Sequence, residues 1–445
     1  MKDPAGAFEK RYEEWTDFFG ALGEAPYRAT QICAWLWKRC VFDPGAMTDF
    51  GKELRETLAN TLDFRPPKIV TCERSKDGTR KFLMEMTDGV RIESALIKQG
   101  ERTTACLSTQ AGCPIGCPFC NTGEGGFERN LSAGEIASQF VAVEAHLGRK
   151  IDNLVFMGMG EPFLNTEALL EAIRILNHPK MRELGIRHMT VSTAGVAPGI
   201  AALAESGLGV RLAVSLHAPD NALRDELVPC NTSWPLEELL SALHEYQRRT
   251  KDRVTIEYAP FRNKNDSLEH ARRLVKLLRG LHAFINLIPA NENGGGYERS
   301  TPESTLRFQS VLESAGFETA IRMERGGDID AACGQLRRRR KEKEEPGSAP
   351  HREERTDVRT KEEPRVSTKG RTKSGRRKTS TGRTEREKPH RQDAGLNARS
   401  RAGDEKRPAP KRREGRPPSA GRAQNRDRGP DRTERAPGGT PRRVR

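Results

Sequence analysis

The sequence predicts an α/β protein of 445 residues whose main part is a full or partial (β/α) barrel. In the middle of the chain, short apolar stretches alternate with helix-like stretches, which is the pattern of a parallel sheet built from βα units. A helical region and a β-hairpin precede this part, and a strongly basic segment follows it. An open, doubly wound sheet is the alternative that this alternation allows.

Residues 1–66 are predicted to form a helical N-terminal accessory domain. Ile32, Trp35 and Leu36 fall on one face of a helix. A second helix is predicted over 49–62, where leucines recur every four residues. A small packing unit explains this region without any function, and a surface that docks RNA is an equal alternative.

Residues 67–100 change to the period of strands and are predicted to form a β-hairpin extension. The two strands cover 81–86 and 90–97, and the turn between them is Thr87-Asp88-Gly89.

Residues 101–336 are predicted to form the core barrel. Its strands are predicted over 103–107, 153–157, 189–192, 210–216, 254–258, 284–288 and 319–323. The best-marked helix follows Ser132, since Ser132 and Glu135 have the spacing of a capping box.

Segments that contain cysteine, glycine or polar residues fall at or just past the ends of these predicted strands. They are the cysteine-rich loop 113–120, Gly158-Met159-Gly160-Glu161-Pro162, Ser192-Thr193-Ala194-Gly195, Ser215-Leu216-His217, Pro289-Ala290-Asn291 and Cys333. The carboxyl ends of barrel strands share one face, on which active sites are built. The sequence therefore predicts that these segments meet in one site.

The charge of the chain is divided unevenly. Residues 337–445 hold 37 Lys and Arg against 17 Asp and Glu, whereas the first 336 residues have a net charge of −5. The segment 337–445 contains no aromatic residue other than histidine and only four large aliphatic residues. It is predicted to be a disordered, Lys/Arg-rich tail, because it cannot bury enough apolar surface to offset the entropy of ordering. Salt-sensitive RNA binding and a role in solubility are equal alternatives for it.

Two classes of protein are excluded by composition and patterning. No run of about 18 uncharged apolar residues exists, which excludes a membrane-spanning helix. The N-terminus lacks the apolar core of a signal peptide. Nine cysteines in such a chain predict reduced thiols and a cytoplasmic location rather than a disulfide framework.

The strongest chemical signal is the CxxxCxxC pattern of Cys113, Cys117 and Cys120. Three thiolates on one loop can hold three irons of a [4Fe–4S] cluster and leave the fourth iron open, as a catalytic metal centre requires. A zinc site with three cysteines and one histidine is the alternative, but residues 121–126 offer no further Cys or His. Cys33, Cys40, Cys72 and Cys230 match no motif and are predicted to be structural.

This spacing resembles the radical S-adenosylmethionine (SAM) superfamily, and further motifs resemble the RlmN/Cfr family of dual-cysteine RNA adenine methyltransferases. They are 106–113 (CLSTQAGC), 127–131 (FERNL), 158–162 (GMGEP), 215–219 (SLHAP) and 328–336 (DIDAACGQL). The resemblance runs from about Tyr27 to Leu336 and implies a partial radical SAM barrel. The tail is not part of it.

The resemblance implies a role for each residue that matches a motif. It implies that Cys113, Cys117 and Cys120 bind the cluster, that Cys333 carries the methyl group and that Cys106 is its partner. The implied SAM-binding residues are Gly160, Glu161, Ser192, Ser215, Leu216, His217 and Asn291. Glu93 stands where the family has a proton acceptor, although a glutamate on a hairpin is more often a solvated side chain.

The family chemistry explains the two additional cysteines. An adenine C2 carbon is not a nucleophile, whereas a thiolate is, so the family first methylates the residue equivalent to Cys333. A second SAM is then cleaved to a 5′-deoxyadenosyl radical, which removes a hydrogen from that methyl group. The resulting carbon radical adds to the adenine, and loss of an electron and of the ring proton follows. Attack of Cys106 on Cys333 releases the base and leaves a transient disulfide.

The implied substrates are an adenine of 23S rRNA at the peptidyl-transferase centre and the adenosine next to the tRNA anticodon. An electron donor such as a flavodoxin or ferredoxin is implied as a partner. Methylation at C8 of the same rRNA adenine, as by Cfr, is an alternative, although 158–162 and 287–291 look more like the C2 members. An alternative of another class is a non-catalytic ribosome-binding protein that acts through its basic tail.

Overall fold

A computed structural model describes residues 5–291 and 296–336 of the chain. The basic tail predicted from residue 337 onward lies outside the described residues. Within them, the fold is the predicted α/β architecture with a helical N-terminal region and an open, mostly parallel sheet.

The N-terminal region holds three helices and one small pair of strands. Its elements are β1 (Ala5–Gly6), α1 (Tyr12–Ala21), α2 (Tyr27–Cys33), α3 (Lys52–Thr61) and β2 (Leu62–Asp63), and a π-helical turn over Ala34–Lys38 extends α2. The predicted apolar face is confirmed, because Ile32, Trp35 and Leu36 are buried. The helix predicted over 49–62 is shorter at both ends, since Gly51 precedes its first turn and Leu62 pairs with Ala5 in parallel strands.

The predicted hairpin forms two strands of a larger antiparallel unit. The strands of this unit are β3 (Lys68–Arg74), β4 (Arg80–Glu85), β5 (Arg91–Gln99) and β6 (Arg102–Cys106). The turn between β4 and β5 is confirmed, with Gly89 in the left-handed region at φ 84°. Strand β3 was not predicted, because its exposed and half-buried residues do not alternate as strand residues usually do.

The parallel part of the sheet confirms the predicted strands to within three residues at every end. After β6 it contains β9 (Asn153–Phe156), β10 (Met189–Thr193), β11 (Arg211–Ser215), β12 (Val254–Tyr258), β13 (Ala283–Leu287) and β14 (Glu318–Ile321). Within the described residues the sheet has the order β14-β13-β12-β11-β10-β9-β6-β5-β4-β3. The order runs from one edge to the other without closing, so the barrel is partial, as predicted.

A separate two-stranded ribbon, eight α-helices and several short 3-10 helices complete the part of the chain that the structure describes. The ribbon pairs β7 (Gln110–Gly112) with β8 (Phe127–Asn130). The helices are α4 (Asn121–Glu124), α5 (Ala133–Leu147), α6 (Thr166–Asn177), α7 (Ala197–Glu205), α8 (Asn221–Leu227), α9 (Leu236–Thr250), α10 (Leu268–Leu277) and α11 (Pro302–Ser314).

Helix α5 shows how local sequence sets these elements. The predicted capping box is confirmed: Glu135 donates its backbone N–H to the Ser132 hydroxyl at 3.1 Å, and the Glu135 side chain accepts from the Ser132 backbone at 2.9 Å. Ile136 and Phe140 then bury one face of the helix against the sheet. Across residues 5–291 and 296–336, none of the helices combines the length and the apolar character needed to span a membrane.

Candidate active site

The segments predicted to meet at the carboxyl ends of the strands do line one cavity. Its walls include the cysteine loop, the glycine-rich segment after β9, the ends of β10 and β11, the segment after β13 and Cys333. A smaller cavity adjoins it and contains both Cys106 and Cys333. The prediction that these segments converge is confirmed.

The β7–β8 ribbon holds the cysteine loop. Cys113 donates its backbone N–H to the carbonyl of Gly126 at 3.0 Å, at the base of the loop. Gly112 has a φ of +83°, and a Cβ there would lie 1.8 Å from the Gly126 oxygen. Only glycine permits this close crossing of the two strands.

The three thiols of the loop fit a metal cluster better than a single ion. Cys113, Cys117 and Cys120 line the same cavity. Among the described residues, no three His, Cys, Asp or Glu side chains are close enough together to hold one metal ion. Thiolate donors spaced more widely around a cavity suit an iron–sulfur cluster, in which each cysteine binds a different iron.

Burial sets the protonation of these thiols in the protein alone. It raises the pKa of Cys113 to about 12 and raises the pKa of Cys117 well above its usual value. Both are therefore protonated at neutral pH, and iron binding releases their protons.

Glu161 lies at the wall of the cavity, 3% exposed, with both carboxylate oxygens hydrogen-bonded. One oxygen accepts from the Thr193 hydroxyl at 2.7 Å and from the Phe163 backbone at 3.0 Å, and the other accepts from the Ala194 backbone at 2.7 Å. Burial raises the pKa of Glu161. A cationic ligand group would offset that cost, and a carboxylate with about four acceptor sites keeps one for it.

Gly160 lets the segment that contains Glu161 press against the strand before the cysteine loop. Its φ is +105°, and a Cβ there would lie 2.6 Å from the Cβ of Gln110. The Glu161 backbone N–H donates to the Gln110 side chain at 2.8 Å. In this segment, Gly160 therefore allows close packing, whereas Glu161 supplies a negative charge.

The remaining predicted SAM-binding residues divide into two groups. Ser192, Ser215, His217 and Asn291 line the cavity. Leu216 does not line it: its side chain is fully buried in the main hydrophobic core, and its backbone N–H donates to Glu257 at 3.0 Å. Leu216 can therefore contact a ligand only through its backbone.

His217 is buried in a left-handed conformation with φ 57°. Its Nδ1 accepts from the Ala259 backbone N–H at 3.0 Å, which leaves the proton of the neutral ring on Nε2. Burial, together with the charge of Arg224, lowers the pKa of His217 to about 3. The imidazole is thus a fixed neutral donor at the cavity wall.

Cys106 and Cys333 lie near the start and the end of the barrel sequence, and both line the smaller cavity. Cys333 is exposed on the C-terminal segment, whereas Cys106 is 7% exposed at the end of β6. Burial and, second, the nearby Cys333 sulfur raise the pKa of Cys106 to about 12. Asn291 donates to the Cys333 carbonyl at 2.9 Å, and Asn121, next to the cysteine loop, donates to the Gly334 carbonyl at 2.8 Å.

Glu93 is not the solvated side chain that a hairpin position suggests. It is 1% exposed, and Lys81 lies 3.8 Å from its carboxylate. Ala95 pairs directly with Cys106 across β5 and β6, so Glu93, two residues before Ala95, faces the same side of the sheet as Cys106. It is not among the residues that line either cavity.

Sequence reasoning missed two charged residues of the site. Arg322 lines both cavities, and Glu257 lines the larger one. The charges of Cys333 and Glu257 favour the Arg322 cation and raise its pKa. Arg322 directly follows β14, so the strand-end rule would have found it had the strand not been predicted to continue to residue 323.

An open parallel barrel with a three-cysteine loop at its carboxyl edge defines the class of radical SAM enzymes, whose cofactors are a [4Fe–4S] cluster and SAM. Residues 107–275 match the family model of the radical SAM superfamily. Residues 8–63 match the model of the ribosomal RNA large subunit methyltransferase N-terminal domain.

Comparison with similar proteins shows which family within this class the chain belongs to. A probable dual-specificity RNA methyltransferase RlmN of Thermosipho melanesiensis is 48% identical over 74% of this chain and 97% of its own length. A protein of the same description from Geobacillus kaustophilus is 44% identical over 75% of this chain and 92% of its own. A crystal structure of a radical SAM methyltransferase from Sphaerobacter thermophilus matches with a TM-score of 0.73 at 42% identity, over 76% of this chain and all of that one. The chain belongs to the RlmN family and is an RNA methyltransferase.

Proposed function

We propose that this enzyme methylates C2 of an adenine in 23S rRNA, at the peptidyl-transferase centre, and C2 of the adenosine next to the tRNA anticodon. The observation that carries the proposal is the small cavity that contains both Cys106 and Cys333 and adjoins the cysteine loop. Direct methylation of a nucleophilic atom needs no such pair of thiols. An electron-poor ring carbon needs a covalent carrier and a means of releasing the product from it.

In this proposal Cys113, Cys117 and Cys120 bind the cluster, and the larger cavity binds SAM. Glu161 faces the amino group of SAM, since a buried carboxylate favours an ammonium partner. Gly160, Ser192, Ser215, Leu216, His217 and Asn291 form the rest of the SAM site. When bound, the cluster and two SAM molecules per turnover supply a methyl group and a radical that removes a hydrogen atom.

Cys333 is the methyl carrier, and its exposure on the C-terminal segment leaves it open to RNA. Its methyl carbon becomes bonded to the adenine, so enzyme and RNA are covalently joined. Cys106 then attacks the Cys333 sulfur: a sulfur–sulfur bond forms, the carbon–sulfur bond breaks, and the released carbon takes up a proton as the new methyl group. Because burial holds Cys106 as a thiol, a base must remove its proton at this step.

Glu93 is proposed as the proton acceptor for the adenine. Its placement on the same sheet face as Cys106 supports this role, although it does not line either cavity. Adenine binding would have to bring the carboxylate into the cavity.

A flavodoxin or ferredoxin is proposed as the electron donor, and the cytoplasm, where ribosomes and tRNA are found, as the location.

The test is mass spectrometry of adenosines from 23S rRNA and tRNA of cells with and without the gene. We expect 2-methyladenosine in both RNAs only when the gene is present. The Cys333→Ala variant should abolish it, whereas Cys33→Ala, at a buried cysteine of α2, should not. 8-Methyladenosine would show the alternative Cfr-type reaction, and an unchanged adenosine profile would contradict enzymatic function of either kind.

A further inference from the structure

Arg224 of helix α8 is a fully buried cation behind the wall of the larger cavity. Burying a guanidinium is costly unless hydrogen bonds replace its water. Within the described residues its donors go to four acceptors, three of which are backbone carbonyls. This concentration of bonds on backbone oxygens indicates that the side chain organises loops.

The three carbonyls belong to two different strand ends. Arg224 donates to Leu216 at 3.1 Å and to Ser215 at 3.3 Å, both at the end of β11. It also donates to Ala194, in the loop after β10. Arg224 thereby ties together the two segments from which Ser192, Ser215 and His217 reach the cavity.

The bond to Ala194 continues to the carboxylate at the cavity wall. Ala194 accepts from Arg224 through its carbonyl, and its own N–H donates to Glu161 at 2.7 Å. Gly195 permits this approach: its φ is +116°, and a Cβ there would lie 2.8 Å from the Arg224 guanidinium. Fixing Ala194 thus fixes one of the donors that orient Glu161.

A second set of bonds orients the guanidinium itself. Arg224 donates to the Asn231 side chain at 2.9 Å, and Asn231 in turn donates to Asp225 at 2.6 Å. Burial lowers the pKa of Arg224. These bonds therefore hold the guanidinium in place despite the cost of burying it.

We propose that Arg224 is a positioning residue for the SAM site. It holds the ends of β10 and β11 and, through Ala194, Glu161 in the geometry that binds SAM. This inference rests on the proposed function, in which the larger cavity binds SAM. A guanidinium can bridge several acceptors in fixed directions, whereas a lysine ammonium acts as a point charge.

The test compares Arg224→Met, Arg224→Lys and Gly195→Ala with the parental protein, all as full-length chains reconstituted with iron and sulfide without oxygen. Iron content and the dissociation constant for SAM are measured. We expect Arg224→Met to keep its iron and to bind SAM about 10- to 100-fold more weakly, as loss of supporting side chains does at metal sites. Arg224→Lys should also weaken SAM binding, and Gly195→Ala should weaken SAM binding with Arg224 still present.

The matched control is Arg182→Gln. Arg182 is also an arginine with little exposure, its side chain being 10% exposed, but its bonds of 2.6 and 2.9 Å go to Glu144. This variant should lose stability without a change in SAM affinity. Parental SAM affinity in Arg224→Met would overturn the inference, as would an equal loss of SAM affinity in Arg182→Gln. If Arg224→Met does not fold, parental SAM affinity in Arg224→Lys and Gly195→Ala overturns it. Failure of the parental protein itself to bind SAM would instead overturn the proposed function and this inference with it.

Discussion

At the residue scale, the site combines buried groups whose protonation is fixed by their surroundings. Glu161 is held by three donors, and His217 accepts from a backbone N–H, so neither side chain has rotational freedom to lose when a ligand binds. Preorganised polar groups of this kind increase affinity because the ordering entropy is not lost on binding.

His217 provides a direct test of this environment. Burial disfavours its cation, so its pKa is about 3 and the imidazole stays neutral at physiological pH. Its C2 proton resonance in an NMR titration should therefore not move between about pH 8 and pH 5. The unfolded chain takes up a proton at this residue near pH 6.5, so acid weakens the fold as pH falls from there toward 3. The His217→Asn variant assigns the resonance, and a midpoint near 6.5 would show that the residue is not buried as described.

The residues that could be predicted from the sequence are those whose chemistry is rare. Three cysteines in a CxxxCxxC pattern, and a cysteine after the last strand, have few structural explanations. Arg224 could not be predicted, because arginines are common and its importance depends on burial, which only the fold creates. Leu216 shows the converse, since a motif residue does not have to direct its side chain into the site.

At the scale of elements, helix α5 connects the N-terminal region to the cysteine loop. Glu9 accepts from the Gly134 backbone at 2.9 Å and from the Ser132 hydroxyl, so a carboxylate of the N-terminal region caps the helix. Farther along the helix, Gln139 bonds the backbone of Ser108, just before the cysteine loop, at 2.9 and 3.1 Å. The helix therefore links the position of the N-terminal region to that of the site.

Removing this cap should destabilise the protein measurably. Glu9→Ala leaves two donors of the first turn without the carboxylate and loses its interaction with the helix dipole, which together contribute about 1 kcal/mol. Denaturant unfolding should show a loss of that size. Glu56→Ala, which removes only an exposed 3.8 Å pair with Lys52, should change stability by no more than a few tenths of a kcal/mol. Equal effects of the two substitutions would show that the cap contributes nothing.

The capping box itself could be predicted, because Ser132 and Glu135 are three residues apart. The additional cap could not, because Glu9 lies 125 residues from Gly134 and nothing local marks the pairing. Strand β3 was not predicted for the same reason, because its place at the sheet edge depends on pairing with β4 rather than on its own pattern.

At the scale of the whole molecule, the two cysteines proposed to act in catalysis come from both ends of the described barrel. Cys106 is the last residue of β6 and Cys333 comes after β14, and the partial barrel brings them to one small cavity. The alternation of strands and helices predicted this convergence, because parallel strands place their carboxyl ends on one face. The open edge of the barrel was expected only from the family resemblance, since the alternation of strands and helices alone fits a full or a partial barrel.

The cluster should be separable from the fold. Cys117 lies in a loop between β7 and β8 and not in the main core, so Cys117→Ala should lose iron and all methylation while keeping its helical signal and its unfolding transition. Absorbance at about 400 nm, where iron–sulfur charge transfer occurs, should disappear. Cys33→Ala should keep the absorbance, and a Cys117→Ala enzyme that methylates RNA normally would refute the cofactor assignment.

If Cys333 and Cys106 act in sequence as proposed, an enzyme–RNA adduct should be trapped when Cys106 is removed. Without Cys106, the methyl group should still be loaded on Cys333 and still be joined to the adenine, but the product should not be released. The Cys106→Ala enzyme, purified with its RNA under reducing and SAM-replete conditions, should therefore show an RNase-sensitive shifted band on a denaturing gel. Cys333→Ala and the double variant should show none, because the methyl group has no carrier. A Cys106→Ala enzyme that turns over normally, or that never forms the adduct, would contradict the account.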